Sequence, residues 1–295
     1  MRPCGKLKKM IKKILNWATK KLSSSNSPIL DSEVLLSFVI KKPKEFLLEH
    51  LEFQPTKKQI SQFKKLVARR AKGEPVAYLI GRKEFYGLDF KVNKNVLVPR
   101  PETELMVEEA IAEINKHKKN ILIDVGTGSG CIPISILKNT KQVKCFAIDI
   151  SPKALAIARC NAKKHNVKIK FLRGNLLAPI IKNLTHFLKG AEKIVITANL
   201  PYLTEKQYRQ NQTLHFEPKL ALVATKSGLA LYEKLLQQIS ALPKAHITLF
   251  LEIDPSQSPA IIKIIKKYLP STEVKIKNDY AGNERLVIIL NDKIE

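Results

Sequence analysis

The chain of 295 residues has no apolar run approaching the roughly 18–20 residues of a bilayer-crossing helix, so nothing in it reads as a membrane span. Its four cysteines, Cys4, Cys131, Cys145 and Cys160, show no CxxC spacing, and its six histidines are scattered without paired ligand spacing. A disulfide framework and a structural zinc site are both excluded by that pattern, and a reduced, cytoplasmic protein with no metal is expected. The opening MRPCGKLKKMIKKILNWATKK is basic, but lysines interrupt every apolar stretch. It therefore lacks the uninterrupted core, about 7–15 residues long, of a secretory signal. Acidic residues are also scarce: 26 Asp and Glu stand against 52 Lys and Arg, a formal charge of +26. Such a field favours acidic partners, RNA first among them. The lysines are spread over nearly the whole chain, so a solvated lysine-rich surface explains the charge equally well. Charge alone selects no function.

Hydrophobic residues make up 44% of the chain, which is globular material and long enough for two domains. In the first 27 residues Leu7, Met10, Ile11, Ile14, Leu15 and Ala18 recur at steps of three and four, an amphipathic helix expected to pack on the helices that follow. Asp31 or Ser32 is expected to cap a helix running through Ile40, with Pro43 as its stop, and Pro55-Thr56 to open another closed by Gly73. Residues 1–75 thus read as a small helical domain. Residues 76–98 carry Phe85, Tyr86, Phe90, Val92, Val96 and Val98 in short extended segments with turns at Gly87 and 93–95, a β-hairpin linker. From residue 99 to 295 helices and strands alternate: helices at 102–117, 130–138, 152–165, 227–240 and 257–268, strands at 120–125, 143–149, 168–172, 193–198, 246–253, 273–278 and 284–290. The expected fold is α/β, a mostly parallel seven-stranded sheet with helices on both faces.

The strongest local motif is ILIDVGTGSGCIPISIL. An apolar strand ends at Asp124, then Gly126-Thr127-Gly128-Ser129-Gly130 leads into a helix. Glycines there let a ligand lie against the backbone at the carboxyl end of the strand. The spacing is GxGxG rather than the dinucleotide GxGxxG, and there is no GK[ST], so nicotinamide, flavin and P-loop nucleotide sites are disfavoured. The next strand ends in Asp149, 19 residues after Gly130, where a carboxylate can accept from both ribose hydroxyls of an adenosine. After the third strand, Asn175 can read an adenine edge while Leu176 packs on its ring. Together these form a pocket for an adenosyl ligand. The set resembles the S-adenosyl-L-methionine-dependent methyltransferases of the Rossmann-like class.

At the end of the fourth strand stands Asn199-Leu200-Pro201-Tyr202. A methyl on a positive sulfur is already activated, so such an enzyme needs no metal and no strong nucleophile, only an acceptor held in line. A planar nitrogen is poorly nucleophilic because its lone pair is delocalised. Acceptors aimed at its N–H groups fix it and favour charge development. Asn199 offers a side-chain carbonyl and Leu200 a backbone one, whose direction Pro201 pre-sets. Tyr202 can stack on the acceptor or wall it in. The tetrapeptide suits methylation of a planar nitrogen.

Two families share that chemistry. Asn-Leu-Pro-Tyr resembles the rRNA adenine dimethyltransferases, whereas Asn-Pro-Pro-Tyr is usual in the glutamine methyltransferases of class I peptide chain release factors. GEPVAYLIGRKEFYGLDFKVNKNVLVPRPETELMVEEA (73–110), HFEPKLAL (215–222), SGLALYEKLL (227–236) and NDYAGNERLVII (278–289) resemble the release-factor family in order, over about residues 20–290. That resemblance implies N5-methylation of the glutamine in a GGQ motif, with a class I release factor as partner, no membrane, a monomer, and the basic surface as a candidate RNA or ribosome contact. It implies that Gly126, Thr127, Gly128, Ser129, Gly130, Asp149, Asn175, Leu176 and Asn199 bind S-adenosyl-L-methionine. Asn199, Leu200, Pro201 and Tyr202 hold the glutamine, with Asn199, Pro201 and Tyr202 as its catalytic set. Arg100, Pro101 and Thr103 either close the pocket or simply start a helix, and Phe216-Glu217-Pro218 is either pocket wall or loop anchor. Three departures stand out: Leu200 for the usual first proline, Asn175 for an acidic residue, and Asp254 for a common glycine. Alternatives remain open: an adenine-N6 methyltransferase acting on RNA or DNA, and a non-catalytic RNA- or ribosome-binding module.

Overall fold

The computed structural model describes residues 10–183, 190–242 and 246–291. Cys4 and Leu7 lie outside them. The chain divides into two compact units, Met1–Gly81 and Arg82–Glu295. Among the described residues no helix is long and apolar enough to cross a membrane.

The first unit is helical: α1 (Met10–Lys21), α2 (Pro28–Ile40), α3 (Lys44–Glu49), α4 (Lys57–Arg70) and α5 (Val76–Ile80). Its core joins Ile11, Leu35, Leu36, Leu47, Phe63 and Val67, the apolar stripes of these helices. Thr56 and Gln59 close a reciprocal capping box at the start of α4, as Pro55-Thr56 leads one to expect. Asp31 and Ser32 do not cap α2. That helix already begins at Pro28, which puts both residues inside it and buries them. Asp31 instead accepts from Ser25 Oγ at 2.6 Å, Ser27 Oγ at 3.0 Å and Arg70 Nε at 2.7 Å, an ion pair across 39 residues that no local pattern announces. Residues 76–80 also depart from expectation. They form α5 rather than extended chain, Gly81 ends it at φ +75°, and the unit boundary falls at 81/82 rather than 75/76.

The second unit opens with a hairpin, β1 (Arg82–Phe85) and β2 (Leu88–Lys91), paired antiparallel. The hairpin belongs to this unit's core and is not a free linker. Phe85 and Phe90 are fully buried beside Met106 and Leu122, each contributing about 1.5–3 kcal/mol by burial. Asn161 bonds both the N–H and the carbonyl of Lys91. Beyond it come α6 (Glu104–Ile114), β3 (Asn120–Val125), α7 (Cys131–Lys138), β4 (Val143–Asp149), α8 (Pro152–Lys164), β5 (Lys170–Arg173), α9 (Ala178–Ile181) and β6 (Lys193–Ala198). Then follow α10 (Glu205–Gln210), α11 (Ala230–Ser240), β7 (Ile247–Glu252), α12 (Ser258–Tyr268), β8 (Glu273–Asn278) and β9 (Glu284–Asn291). The sheet order is β5-β4-β3-β6-β7-β9-β8, parallel except where β9 pairs with β7 and β8. β3, β6 and β7 are buried along their whole length, as strands covered on both faces must be. The carboxyl ends of the parallel strands carry Asp149, Asn199 and Glu252, and the order reverses between β4, β3 and β6. That is where open α/β sheets bind ligands.

Candidate active site

A cavity opens at this end of the sheet. Gly126, Thr127, Gly128 and Ser129 line it from the loop after β3, Asp149 from β4, and Asn175 and Leu176 from the turn after β5. Asn199, Leu200 and Pro201 line it from the exit of β6. Of the residues expected to hold the cofactor or the glutamine, Gly130 and Tyr202 stand outside this lining, as do Pro101, Phe216 and Glu217 of the flanking candidates. Gly130 (φ +80°) lies against helix α8: a Cβ there would meet Ala158 Cβ at 3.2 Å and Ile134 Cδ1 at 3.1 Å. Its bareness lets two helices approach. Tyr202 turns its hydroxyl to Glu252 Oε1, 3.4 Å away.

The glycine loop is pinned by its backbone, Gly126 and Thr127 both donating to the Ile148 carbonyl at 2.9 and 3.0 Å. Gly126 sits at φ +76°, and a Cβ there would meet Leu200 Cδ2 at 3.0 Å, so loop and tetrapeptide are fitted to each other. Asp149 receives Gly128 N–H on Oδ2 at 2.9 Å and Ser151 N–H on Oδ1 at 2.8 Å. Burial pushes its carboxyl above the ordinary range, and those backbone N–H groups oppose the rise. The carboxylate keeps capacity to accept from a further donor. Cys131 also lines the cavity, but burial pushes its thiol up to about 12, so it is a small apolar wall and not a nucleophile.

Sequence reasoning gave no role to Asp124, although the motif contains it. It is buried at the end of β3 and accepts from Thr197 Oγ1 at 2.7 Å on Oδ1. Its Oδ2 and the hydroxyl of the cavity-lining Thr127 are buried facing one another, with no closer partner for either, and the Thr127 hydroxyl opposes the effect of burial on the carboxyl. Burial pushes Asp124 up to about 6. A buried carboxylate behind the Thr127 wall of the cavity suits a cationic ligand through its charge rather than by contact. S-adenosyl-L-methionine, with its sulfonium and amino groups, fits that donor set, and Asp149 and Asn175 fit its nucleoside.

The acceptor side is held by groups far apart in sequence. Asn199 Nδ2 donates to Thr103 Oγ1 at 3.1 Å, and Thr103 Oγ1 donates to Glu252 Oε2 at 2.6 Å. Glu252 is 2% exposed. Burial pushes its carboxyl up, while Thr103, the nearby Arg285 and Asn199 pull the other way. Leu200 N–H donates to the Tyr232 hydroxyl at 3.2 Å, and that hydroxyl in turn bonds the Glu252 carbonyl. Gln257 Nε2 clamps the carbonyls of Tyr202 and Ser227 at 3.0 and 2.8 Å. Gly228 (φ +86°) lets Tyr202 pass: a Cβ there would meet the Tyr202 carbonyl oxygen at 1.9 Å. Asp254 closes a capping box with Gln257, which gives that departure a local reason. Arg100, Thr103 and Pro218 line the cavity, while Pro101 opens the 3-10 turn 101–103. Glu217 is an anchor, accepting from Val98 N–H at 3.0 Å and from Arg100 at 2.5 Å.

Two family models match, the PrmC N-terminal domain over residues 13–81 and the methyltransferase small domain over 102–189. A release factor glutamine methyltransferase of Dictyoglomus turgidum is 34% identical over 285 residues, 95% of this chain and 98% of that one. One of Buchnera aphidicola is 34% identical over 280 residues, 94% of this chain and 97% of that one. The chain belongs to the release factor glutamine methyltransferase family. It is a methyltransferase with the Rossmann-like fold. Among solved structures, the hMettl16 catalytic domain in complex with MAT2A 3′UTR hairpin 1 superimposes with a TM-score of 0.55, over 88% of this chain and 92% of that one. At 11% identity this likeness concerns the fold alone.

Proposed function

We propose that this enzyme transfers a methyl group from S-adenosyl-L-methionine to the side-chain amide N5 of the glutamine in the GGQ motif of class I peptide chain release factors, in the cytoplasm. The observation that carries the reading is Asn199, which lines the same cavity as Asp149 and Asn175 and whose amide is held by Thr103. The family's full-length match stands behind the release-factor substrate and weighs against the adenine-N6 and non-catalytic readings.

When bound, the cofactor supplies a methyl already activated by its positive sulfur. The protein's part is placement. Asp149 accepts from the ribose hydroxyls, and Asn175 and Leu176 frame the base. Thr127 offers its hydroxyl oxygen to the cationic end, with the negative charge of Asp124 behind it. Asn199 Oδ1 and the Leu200 carbonyl accept from the two N–H groups of the glutamine amide, which aligns its nitrogen and favours the charge that develops on it. Pro201 fixes the direction of the Leu200 carbonyl. The helical unit is proposed to recognise the release factor.

The test is peptide-mapping mass spectrometry of a purified release factor incubated with the enzyme and S-adenosyl-L-methionine. One added methyl on the GGQ glutamine supports the proposal. A release factor left unmodified by an enzyme that binds the cofactor overturns it.

A further inference from the structure

A hydroxyl has one proton to give, and Thr103 stands at bonding distance from two groups. Glu252 Oε2 is 2.6 Å away and Asn199 Nδ2 is 3.1 Å away. The structure turns Asn199 Nδ2 toward Thr103, so Thr103 Oγ1 accepts there and gives its one proton to Glu252 Oε2. Thr103 then has only lone pairs to offer Asn199, which keeps its NH2 toward it. The amide's other end, Oδ1, is left for the cavity that Asn199 lines. We infer that Glu252, acting through Thr103, is a positioning residue that fixes which end of the Asn199 amide faces the substrate. It thereby makes the site read an N–H donor and refuse an acceptor oxygen.

The inference rests on the glutamine reading above and deepens it. A glutamine side chain is nearly symmetric in shape, one arm ending in NH2 and the other in oxygen. Shape alone separates them poorly. An Oδ1 held toward the cavity accepts from the NH2 arm and repels the oxygen arm, so the polarity of Glu252–Thr103–Asn199 brings nitrogen to the transfer position. The arrangement is buried: Thr103 is 2% exposed and Glu252 2% exposed, so water cannot stand in for a missing member. Its parts come from the 101–103 turn, the exit of β6 and the end of β7.

The decisive variants are Thr103→Val, which keeps the shape and removes the hydroxyl, and Thr103→Ser, which keeps the hydroxyl. Release-factor methylation is followed at saturating cofactor, with kcat and KM separated and melting temperature recorded for each protein. Thr103→Val is expected to lose about 10–100-fold in kcat with little change in cofactor affinity, and Thr103→Ser to stay within about threefold of the parent. A fall in melting temperature with kcat per folded molecule unchanged marks a structural hydroxyl and overturns the inference. Equal losses in the two variants overturn it as well. A parent enzyme that leaves the glutamine unmethylated removes the glutamine reading itself, and that result is visible before any variant is compared.

Discussion

Two buried glutamates sit at opposite ends of the same strands, and their surroundings differ in kind. Glu113, on α6, meets Lys193 Nζ at 3.3 Å, Lys116 Nζ at 2.7 Å and Thr248 Oγ1 at 2.9 Å, near the amino ends of β6 and β7. Burial alone would raise its carboxyl, but the bonds from Lys116 and Thr248 and the charge of Lys193 bring it below the ordinary range. Glu252, at the carboxyl end of β7, is bonded by the hydroxyls of Thr103 and Tyr202, and burial leaves it above that range. A carboxylate matched by ammonium groups holds structure together. One bonded chiefly by hydroxyls, with Arg285 acting only through its charge, keeps the cost of its burial, and its use lies in dictating where those protons point.

The largest expected effect separates the two ends. Lys193→Met removes one partner of a buried pair and is expected to cost about 3–5 kcal/mol in denaturant unfolding, while kcat per folded molecule stays within about twofold. Glu252→Gln is expected to do the reverse. Stability holds or rises as a costly buried charge disappears, and kcat falls about tenfold because a neutral amide no longer dictates the Thr103 proton. If both variants lose stability and keep turnover, the distinction between the ends is wrong.

Asn199→Ala tests the same end at the group proposed to hold the substrate amide. Turnover is expected to fall about 10²–10³-fold, with cofactor affinity measured by calorimetry within about threefold of the parent. Comparable losses in both would move Asn199 from acceptor placement to cofactor binding.

Asp124 extends the comparison to a third buried carboxyl. Its folded value, about 6, lies above the ordinary 3.8, so its contribution to stability is fully present below pH 3.8 and is lost as pH rises through 6. A shift of this size corresponds to about 3 kcal/mol. Unfolding by urea at pH 5.0 and pH 7.5, each a nominal setting of about that value, compares the parent with Asp124→Asn. The variant is expected to gain on the parent toward the higher pH, and a constant difference would show that Asp124 does not carry the titration.

Much of this architecture was legible because it is written locally. The Val- and Ile-rich runs at 120–125, 143–149 and 193–198 became β3, β4 and β6 with the boundaries their apolar character implies. The glycine loop, Asp149 and Asn175 announced a pocket because successive strand ends meet at one edge of a parallel sheet. What escaped was relational. Asp31 reads as a helix cap until Arg70 is placed beside it, and VAYLI reads as extended chain until α5 is seen. Glu252, ending a strand, and Gln257 beyond it read as ordinary polar residues until Thr103, 149 positions from Glu252, meets the carboxylate. Tyr202 reads as a ring to stack on the acceptor or wall it in, and no local pattern announces that its hydroxyl turns to Glu252 while Gly228 and Gln257 crowd its backbone.

Leu200 carries the smallest expected effect and the sharpest correction to reading by analogy. Set against the family's usual proline, it looks like a loss of rigidity in the loop. In the structure its N–H donates to Tyr232 at 3.2 Å, and its side chain, 3% exposed, closes against Gly126. A proline has neither that proton nor that reach. Leu200→Pro gains about 0.4–1 kcal/mol through a stiffer unfolded chain. It forfeits a bond worth about 1 kcal/mol and leaves part of the Leu200 site unfilled. The net expectation is a loss of about 1 kcal/mol in unfolding free energy. The change in kcat should be under about threefold, because the carbonyl proposed to accept from the substrate amide belongs to the backbone and stays. A stabilised and faster variant would instead mean that the Tyr232 bond is dispensable and that rigidity at position 200 is what this loop lacks.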